Sequence, residues 1–265
     1  WQMVFLIVGL PGFLLAAIVF LTVSEPARRD HASAGKDTER EVAPPFSEVL
    51  RELFVRNRFC LPYFFGYASL IMLFYSFTAW FPTVLIRHFA LEASYVGKIT
   101  GPLYMLGGIV GVLTAGLLVR RAKDEQALGT VLKVAAYACT LLTPLALIAP
   151  LASFNMAIIF YGLCAFAASI VMALAPIPLQ IAIPNRMRGR SIALLVFMTN
   201  VLGGGIGPYA VGYISQQLGD RENALGFALA IVATVSAALA AVLYTTAALA
   251  VKRSQSLSLS AVQAS

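Results

Sequence analysis

The polar side chains that interrupt long apolar stretches are the residues of this sequence that could do chemistry. In the stretch Phe59–Ile86, the residues Tyr67, Tyr75 and Thr78 fall within about 120° of arc when a helix turns roughly 100° per residue. Tyr63 shares that face nearer to one end. Hydroxyl groups that face lipid lack hydrogen-bond partners, so we predict that this face lines a central cavity and contacts a substrate. Hydrogen bonds between helices, with interfacial anchoring of Tyr63, are the alternative.

Two further polar residues lie deep in other apolar stretches. Asn200 lies within Ser191–Ile214, and Tyr161 lies within Phe154–Leu179. A polar amide in a membrane is costly unless it is paired. We therefore predict that Asn200 binds the substrate, with an interhelical hydrogen bond as the alternative. Tyr161 is a further candidate for substrate binding.

Glycine and proline residues mark places where helices approach closely or bend. Gly107 and Gly111 are four residues apart, a spacing that lets two helix backbones pack together. A proline removes one backbone hydrogen bond and bends a helix. Static kinks and gating hinges are both compatible with these residues. The positions expected to pack closely, bend or gate the fifth and sixth stretches are Pro176, Pro178, Gly203, Gly207 and Pro208.

Motifs for catalysis or metal binding are absent from the sequence. It holds no P-loop, no HExxH and no GxSxG motif. The cysteines Cys60, Cys139 and Cys164 have no CxxC spacing, and His31 and His88 are predicted on opposite sides of the membrane. We therefore expect no enzymatic activity, no cofactor and no metal ion.

The elements that carry these residues must be membrane-spanning helices. Of the 265 residues, 60% are apolar and 12% are charged, whereas a soluble domain is about half apolar and roughly a quarter charged. A helix of about 20 apolar residues crosses the hydrocarbon core. The alternating pattern of a membrane β-barrel is absent. The stretches long enough to cross are Met3–Val23, Phe59–Ile86, Val96–Val119, Leu128–Ala149, Phe154–Leu179, Ser191–Ile214 and Ala224–Val251.

The basic residues predict how these stretches are oriented. Most of the 19 Lys and Arg residues fall in one set of alternating loops, which the positive-inside rule places in the cytoplasm. This puts Trp1 outside and Ser265 inside. The net charge of +7 therefore marks topology, and we expect contacts with membrane lipids and none with nucleic acid.

The longest connection contains a short amphipathic segment. Within Phe46–Val55, the residues Val49, Leu50, Leu53 and Phe54 fall on one helical face together with Phe46. This pattern predicts either a helix that lies on the membrane surface or a linker helix that is packed on the protein.

Three segments resemble the major facilitator superfamily and, within it, the Spinster-like transporters. The clearest is IPNRMRGRSIA at 183–193, followed by NVLGGGIGP at 200–208, which resemble the loop between helices ten and eleven and the following helix eleven. The segment WFPTVLIR at 80–87 resembles the end of helix seven. Residues 5–12 and 25–29 resemble helix six and its exit.

The resemblance implies an all-α membrane protein with a major facilitator-type helical bundle. Residues 59–251 would be the C-terminal six-helix half, preceded by the last helix of the N-terminal half at 1–23 and an inter-half loop at 24–58. Residues 252–265 would be a cytoplasmic tail. The first five helices of the same protein would be missing from this chain. The first, fourth and last stretches are expected at the lipid-facing periphery.

The function implied is secondary active transport of a small organic solute or a lipid-like amphiphile by alternating access, in a bacterial inner membrane. A membrane sensor or scaffold without transport is the alternative. Arg120 and Gln216 favour it slightly, because they stand where the family often has acidic residues. A channel is disfavoured, since no ring of charge or filter-like sequence is present. Symport and antiport stay open, and any coupling acid is predicted in the preceding helices, because the apolar stretches contain no Asp or Glu.

Overall fold

The computed structural model describes residues 2–23, 44–120, 126–219 and 221–264. Its first helix, α1, spans Gln2–Thr22 and matches the first predicted stretch. The described residues fall into two units, one within 1–42 and the other within 43–265. The inter-half loop was predicted at 24–58, and residues 24–43 of it lie outside the described residues.

The second unit is a helical bundle. After α2 (Phe46–Arg51) and a π-helical turn at Glu52–Arg56, the remaining elements follow in order. They are α3 (Cys60–His88), α4 (Ala93–Val119), α5 (Ala127–Ile148), α6 (Phe154–Leu174), α7 (Ile177–Ala182), α8 (Asn185–Thr199), a π-helical segment (Asn200–Ile206), α9 (Gly207–Gln217) and α10 (Ala224–Ala264).

Six helical spans of the described chain are long and apolar enough to cross a membrane. They confirm the six stretches predicted after the inter-half loop, with α6–α7 and α8–α9 each forming one span. The last helix continues beyond the predicted end at Val251 and reaches Ala264, so the predicted tail is helical through that residue.

The bundle packs through small residues on α10. This helix lies against α3 and α5, while α4 packs on α6 and the α8–α9 span packs on α3. Ala233, Ala237, Ala240 and Ala247 are fully buried and are separated by four, three and seven residues, so they form one stripe of the helix. Large side chains such as that of Val242, which is 60% exposed, occupy the opposite face. The last span therefore has one packed face and one outward face.

The contact between α4 and α6 requires glycine. A Cβ atom added to Gly107 would lie 2.9 Å from the carbonyl oxygen of Gly162, and one added to Gly111 would lie 2.5 Å from that of Phe166. Such distances leave no room for a side chain, so the two glycines set how closely these helices approach.

The α6–α7 span breaks between these two helices, where the sequence reads Pro176-Ile-Pro178. Pro176 cannot donate a hydrogen bond to the Met172 carbonyl, and the amide of Ala175 donates to it instead at 3.3 Å. The Tyr63 hydroxyl donates to the Ala175 carbonyl from α3. This buried contact ties the break to a neighbouring helix and favours a static kink.

The short helix α2 is packed on the protein. Val49 and Leu53 are fully buried, and the ring of Phe54 meets that of Phe64 edge-on with centroids 5.5 Å apart. Phe46 alone of the predicted face is more than half exposed. Of the two interpretations left open by the sequence, the structure therefore favours the linker helix that is packed on the bundle.

Two arginines near the start of α8 hold this linker in place. Arg190 donates to the Pro44 carbonyl, and the guanidinium of Arg186 lies 3.8 Å from a carboxylate oxygen of Glu48. The second contact is solvent-exposed and adds little stability by itself. The linker and α8 are therefore joined at one end of the bundle.

Candidate functional site: a polar face at the middle of the bundle

Tyr75 and Asn200 form a hydrogen-bonded pair near the middle of their spans. The Tyr75 hydroxyl donates to Asn200 Oδ1 at 3.0 Å, and Asn200 Nδ2 donates to the Val196 carbonyl at 2.8 Å. Asn200 is exposed and Tyr75 is half-buried. The structure thus brings together two residues that the sequence singled out on separate stretches, and it leaves both accessible.

Local helix geometry places this pair. Asn200 is the first residue of the π-helical segment Asn200–Ile206, a wider helical form that is rare and frequent at functional sites. Gly204 follows one turn later, and a Cβ added there would lie 3.3 Å from the ring of Tyr75. The ring therefore lies directly on the backbone of the opposing span, which points its hydroxyl towards Asn200.

The same segment approaches α3 closely through two more glycines. A Cβ added to Gly203 would lie 2.9 Å from the Met72 amide nitrogen, and one added to Gly207 would lie 2.6 Å from the Met72 carbonyl oxygen. Trp80 Nε1 donates to the Pro208 carbonyl at 2.9 Å. These contacts fix the register of the two spans on either side of the Tyr75–Asn200 pair.

Thr78 continues the polar face one turn along α3. It is exposed, and its hydroxyl donates to the Phe74 carbonyl of its own helix at 2.9 Å. Thr78 lines a small crevice with Tyr104 of α4 and Tyr161 of α6. The crevice measures about 20 Å³, which is room for one water molecule. In this bundle it is therefore an edge of a site and cannot by itself enclose a solute.

Tyr161 lies in the packed core and not on the exposed face. Its ring stacks on that of Phe81, with centroids 4.4 Å apart and planes inclined by 3°, and Phe77 lies beside both. Only 8% of Tyr161 is exposed. The aromatic stack takes most of the ring surface, so this residue forms a wall of the crevice.

Tyr67 shares the face of α3 but stands apart from the pair. It is half-buried and packs against the core. Eight residues separate it from Tyr75, which corresponds to about 12 Å along a helix. The two hydroxyls would therefore contact different parts of any bound molecule.

A comparison with known families decides the class of protein. Residues 1–208 match the family model of the Major Facilitator Superfamily. The chain belongs to the Major Facilitator Superfamily. The membership predicted from the motifs is confirmed, and with the six apolar spans it makes this chain an integral, multi-pass membrane protein of a family of transporters.

A curated relative in the superfamily is the probable galactarate/D-glucarate transporter GudP of Bacillus subtilis (strain 168). It is 24% identical over 147 residues, which cover 47% of this chain and 31% of the relative. The chain therefore spans about a third of the length of this relative.

Solved structures of the superfamily share the fold. A bacterial homologue of the human lysosomal transporter Spinster, inward-facing and unoccupied, superimposes with a TM-score of 0.57 at 21% identity, over 95% of this chain and 58% of that one. Its occupied form gives a TM-score of 0.55 at 20% identity, over 96% and 57%. The predicted major facilitator-type bundle is confirmed.

Sequence reasoning missed Tyr104 as a neighbour of the polar face. Its ring centroid lies 6.1 Å from that of Phe74, and the side chain is 38% exposed. Tyr104 precedes Gly108 by four residues and Gly111 by seven, so it shares a helix face with these glycines. This spacing could have identified Tyr104 from the sequence, because the face of α4 that packs on α6 also lines the crevice.

The side chains at this face are suited to binding a small molecule. Among the described residues, no group of three or more His, Cys, Asp or Glu side chains is placed to hold a metal ion. The lining of the crevice is aromatic, aliphatic and hydroxyl-bearing, and it includes the thiol of Cys164. Such groups can bind and orient a solute.

Proposed function

We propose that this chain is part of a secondary active transporter of the inner membrane of a bacterium, which moves a small organic solute by alternating access. The observation that carries the proposal is the Tyr75–Asn200 pair, which is polar, accessible and near mid-span. Polar groups at that depth are costly against lipid and favourable against a cavity or a solute. The pair, with Thr78 and Tyr67, forms the solute contact.

The cavity lies between this bundle and a second bundle of the same protein. The α4 and α8–α9 spans are the least buried by the rest of the bundle. In their most apolar 18-residue stretches 11% and 28% of the residues are buried, against 50–56% in the other four spans. Both flank the polar face of α3. The solved structures, of which this chain spans 58% and 57%, support a further set of helices against this surface. Residues 59–251 are then the C-terminal half, and α1 ends the preceding half.

The lining favours an amphiphilic solute. The site offers hydroxyl and amide groups from Tyr75, Thr78 and Asn200, and apolar aromatic surface from Phe74 and Tyr104. No charged side chain lines the described crevice. A sugar diacid such as the solute named for the Bacillus relative requires cationic partners, which the opposing bundle would have to supply.

Flux measurements on the full-length protein test this function. Vesicles that contain the purified protein are loaded with unlabelled solute, and the entry of the same solute in labelled form is then measured. The assay is run once with a lysophospholipid and once with glucarate. We expect counterflow of the amphiphile, and a loss of about tenfold or more in Asn200→Leu, because the mutation removes both amide hydrogen bonds at the site. Tyr95→Phe, which changes an exposed hydroxyl near the start of α4, serves as the matched control.

The outcomes separate the possible functions. Protein that stays folded and moves neither solute contradicts transport of these classes and favours a sensor or scaffold. Counterflow of glucarate alone contradicts the amphiphile assignment but keeps the transporter. Equal rates in Asn200→Leu and wild type remove the Tyr75–Asn200 face from the solute path.

A further inference from the structure

A second polar cleft lies between the beginning of α5 and the part of α10 around Lys252. It measures about 220 Å³. The residues that line it include Gln126, Gly129, Thr130, Lys133, Lys252 and Gln255. The transport cavity proposed above does not use this cleft, because α5 and α10 are not among the spans that flank the polar face of α3.

The cleft brings together two lysines without a described acidic partner. Lys133 and Lys252 are both exposed. Within the described ranges the ion pairs are Arg56–Glu52 and Arg186–Glu48, and neither involves these lysines. Lys133 follows Gln126 by seven residues, so its Cα lies about 10 Å further along the helix. Two ammonium groups that line one cleft favour the binding of an anion there.

Apolar surface continues from the cleft along both helices. On α5, Tyr137 and Leu141 lie four and eight residues after Lys133 and are 73% and 52% exposed. On α10, Leu249 precedes Lys252 by three residues and is 49% exposed. Residues at these intervals share one helix face. The surface formed by α5 and α10 therefore has positive charge at the cleft and an apolar strip that continues from it along both helices.

We propose that this cleft binds the phosphate headgroup of an anionic phospholipid, whose acyl chains lie along the exposed strips of α5 and α10. Lysine ammonium groups bind phosphate as point charges, and Thr130 and Gln126 supply further polar groups. Basic pockets between membrane helices on the cytoplasmic side recognise anionic headgroups in this way. The loops at this end of the bundle are those predicted to be cytoplasmic, where anionic lipids are concentrated.

Native mass spectrometry of the full-length protein tests the site. Retained lipid is measured after titration with phosphatidylglycerol and with phosphatidylcholine of identical chains. We expect phosphatidylglycerol to bind more tightly, with its affinity lowered about fivefold by Lys133→Gln or Lys252→Gln and about 30-fold by both together. Arg253→Gln removes the same charge at the adjacent position outside the cleft lining, and it is expected to change affinity less than twofold.

Further arms separate lipid from soluble phosphate and from misfolding. Glycerol phosphate, which has the headgroup chemistry without chains, is expected not to displace the lipid at equal concentration. The charge-conserving pair Lys133→Arg and Lys252→Arg is expected to retain binding, and a matching gel-filtration profile shows that each variant is folded.

Three results would overturn the proposal. The first is unchanged phosphatidylglycerol binding in the double glutamine variant. The second is an equal loss in Arg253→Gln. The third is displacement of the lipid by glycerol phosphate, which would assign the cleft to a soluble phosphate.

Discussion

The hydroxyl of Tyr75 on α3 donates to the side-chain carbonyl of Asn200, 125 residues later in the chain, at 3.0 Å. The bond joins two spans at a face that the bundle leaves open. Each residue fixes the rotamer of the other, since the Asn200 amide is also held by the Val196 carbonyl at 2.8 Å. A solute that contacts one of them therefore meets an oriented pair, which lowers the entropy lost on binding.

This pairing predicts coupled effects on solute binding. We expect Tyr75→Phe and Asn200→Ala each to weaken solute affinity in full-length protein several-fold. In a double-mutant cycle they should interact by about 1 kcal/mol, which is the net value of one hydrogen bond. Affinity is measured by equilibrium binding, with Tyr95→Phe as the control. Strict additivity of the two substitutions would mean that the bond does not organise the site.

The glycine contact between α4 and α6 predicts a size limit at Gly111. Because an added Cβ would lie 2.5 Å from the Phe166 carbonyl oxygen, Gly111→Ala should force the helices apart and destabilise the protein by about 1–3 kcal/mol. Thermal unfolding of detergent-solubilised protein gives the readout. Gly116→Ala on the same helix is the matched control, since nothing lies within 4 Å of its Cβ position; a similar loss there would indicate a general effect of alanine.

The approach of α9 to α3 predicts a comparable limit at Gly207. An added Cβ would lie 2.6 Å from the Met72 carbonyl oxygen and 2.8 Å from Ser76 Oγ, so Gly207→Ala should displace the span beside the Tyr75–Asn200 pair. We expect about 1–3 kcal/mol of destabilisation together with reduced flux. Gly205→Ala, which has open space at its Cβ position, should retain both. Unchanged stability and flux in Gly207→Ala would show that α9 and α3 do not depend on this close approach.

The break between α6 and α7 predicts a role for Tyr63 in stability. Tyr63→Phe removes the hydroxyl that donates to the Ala175 carbonyl but keeps the buried ring, so we expect a loss of about 1 kcal/mol. Thermal unfolding measures it, and Tyr95→Phe on an exposed tyrosine of α4 is the control. An increase in flux without destabilisation would instead indicate that the break is a hinge.

The sequence was sufficient to predict the spans and the family. Membrane helices are set by the hydropathy of about 20 consecutive residues, which is a local property. The bounds of α4 and α5 were therefore predicted to within a few residues. Short motifs near residues 183–193 and 200–208 indicated the superfamily for the same reason, since they can be read without knowledge of long-range contacts.

Which polar residues meet was decided only by the tertiary structure. Helical spacing placed Tyr75 on a cavity face and marked Asn200 as costly, but the bond between them depends on a π-helical segment and on Gly204. Tyr161 carried the same polar signal, yet its ring stacks on Phe81 in the core. Periodicity describes one helix at a time, whereas side-chain pairing depends on the relative rotation and separation of two helices. In this protein the rotation and separation of α3 and the α8–α9 span are set by glycine contacts between residues far apart in the sequence, such as Gly204 with Tyr75. The sequence alone does not specify these contacts.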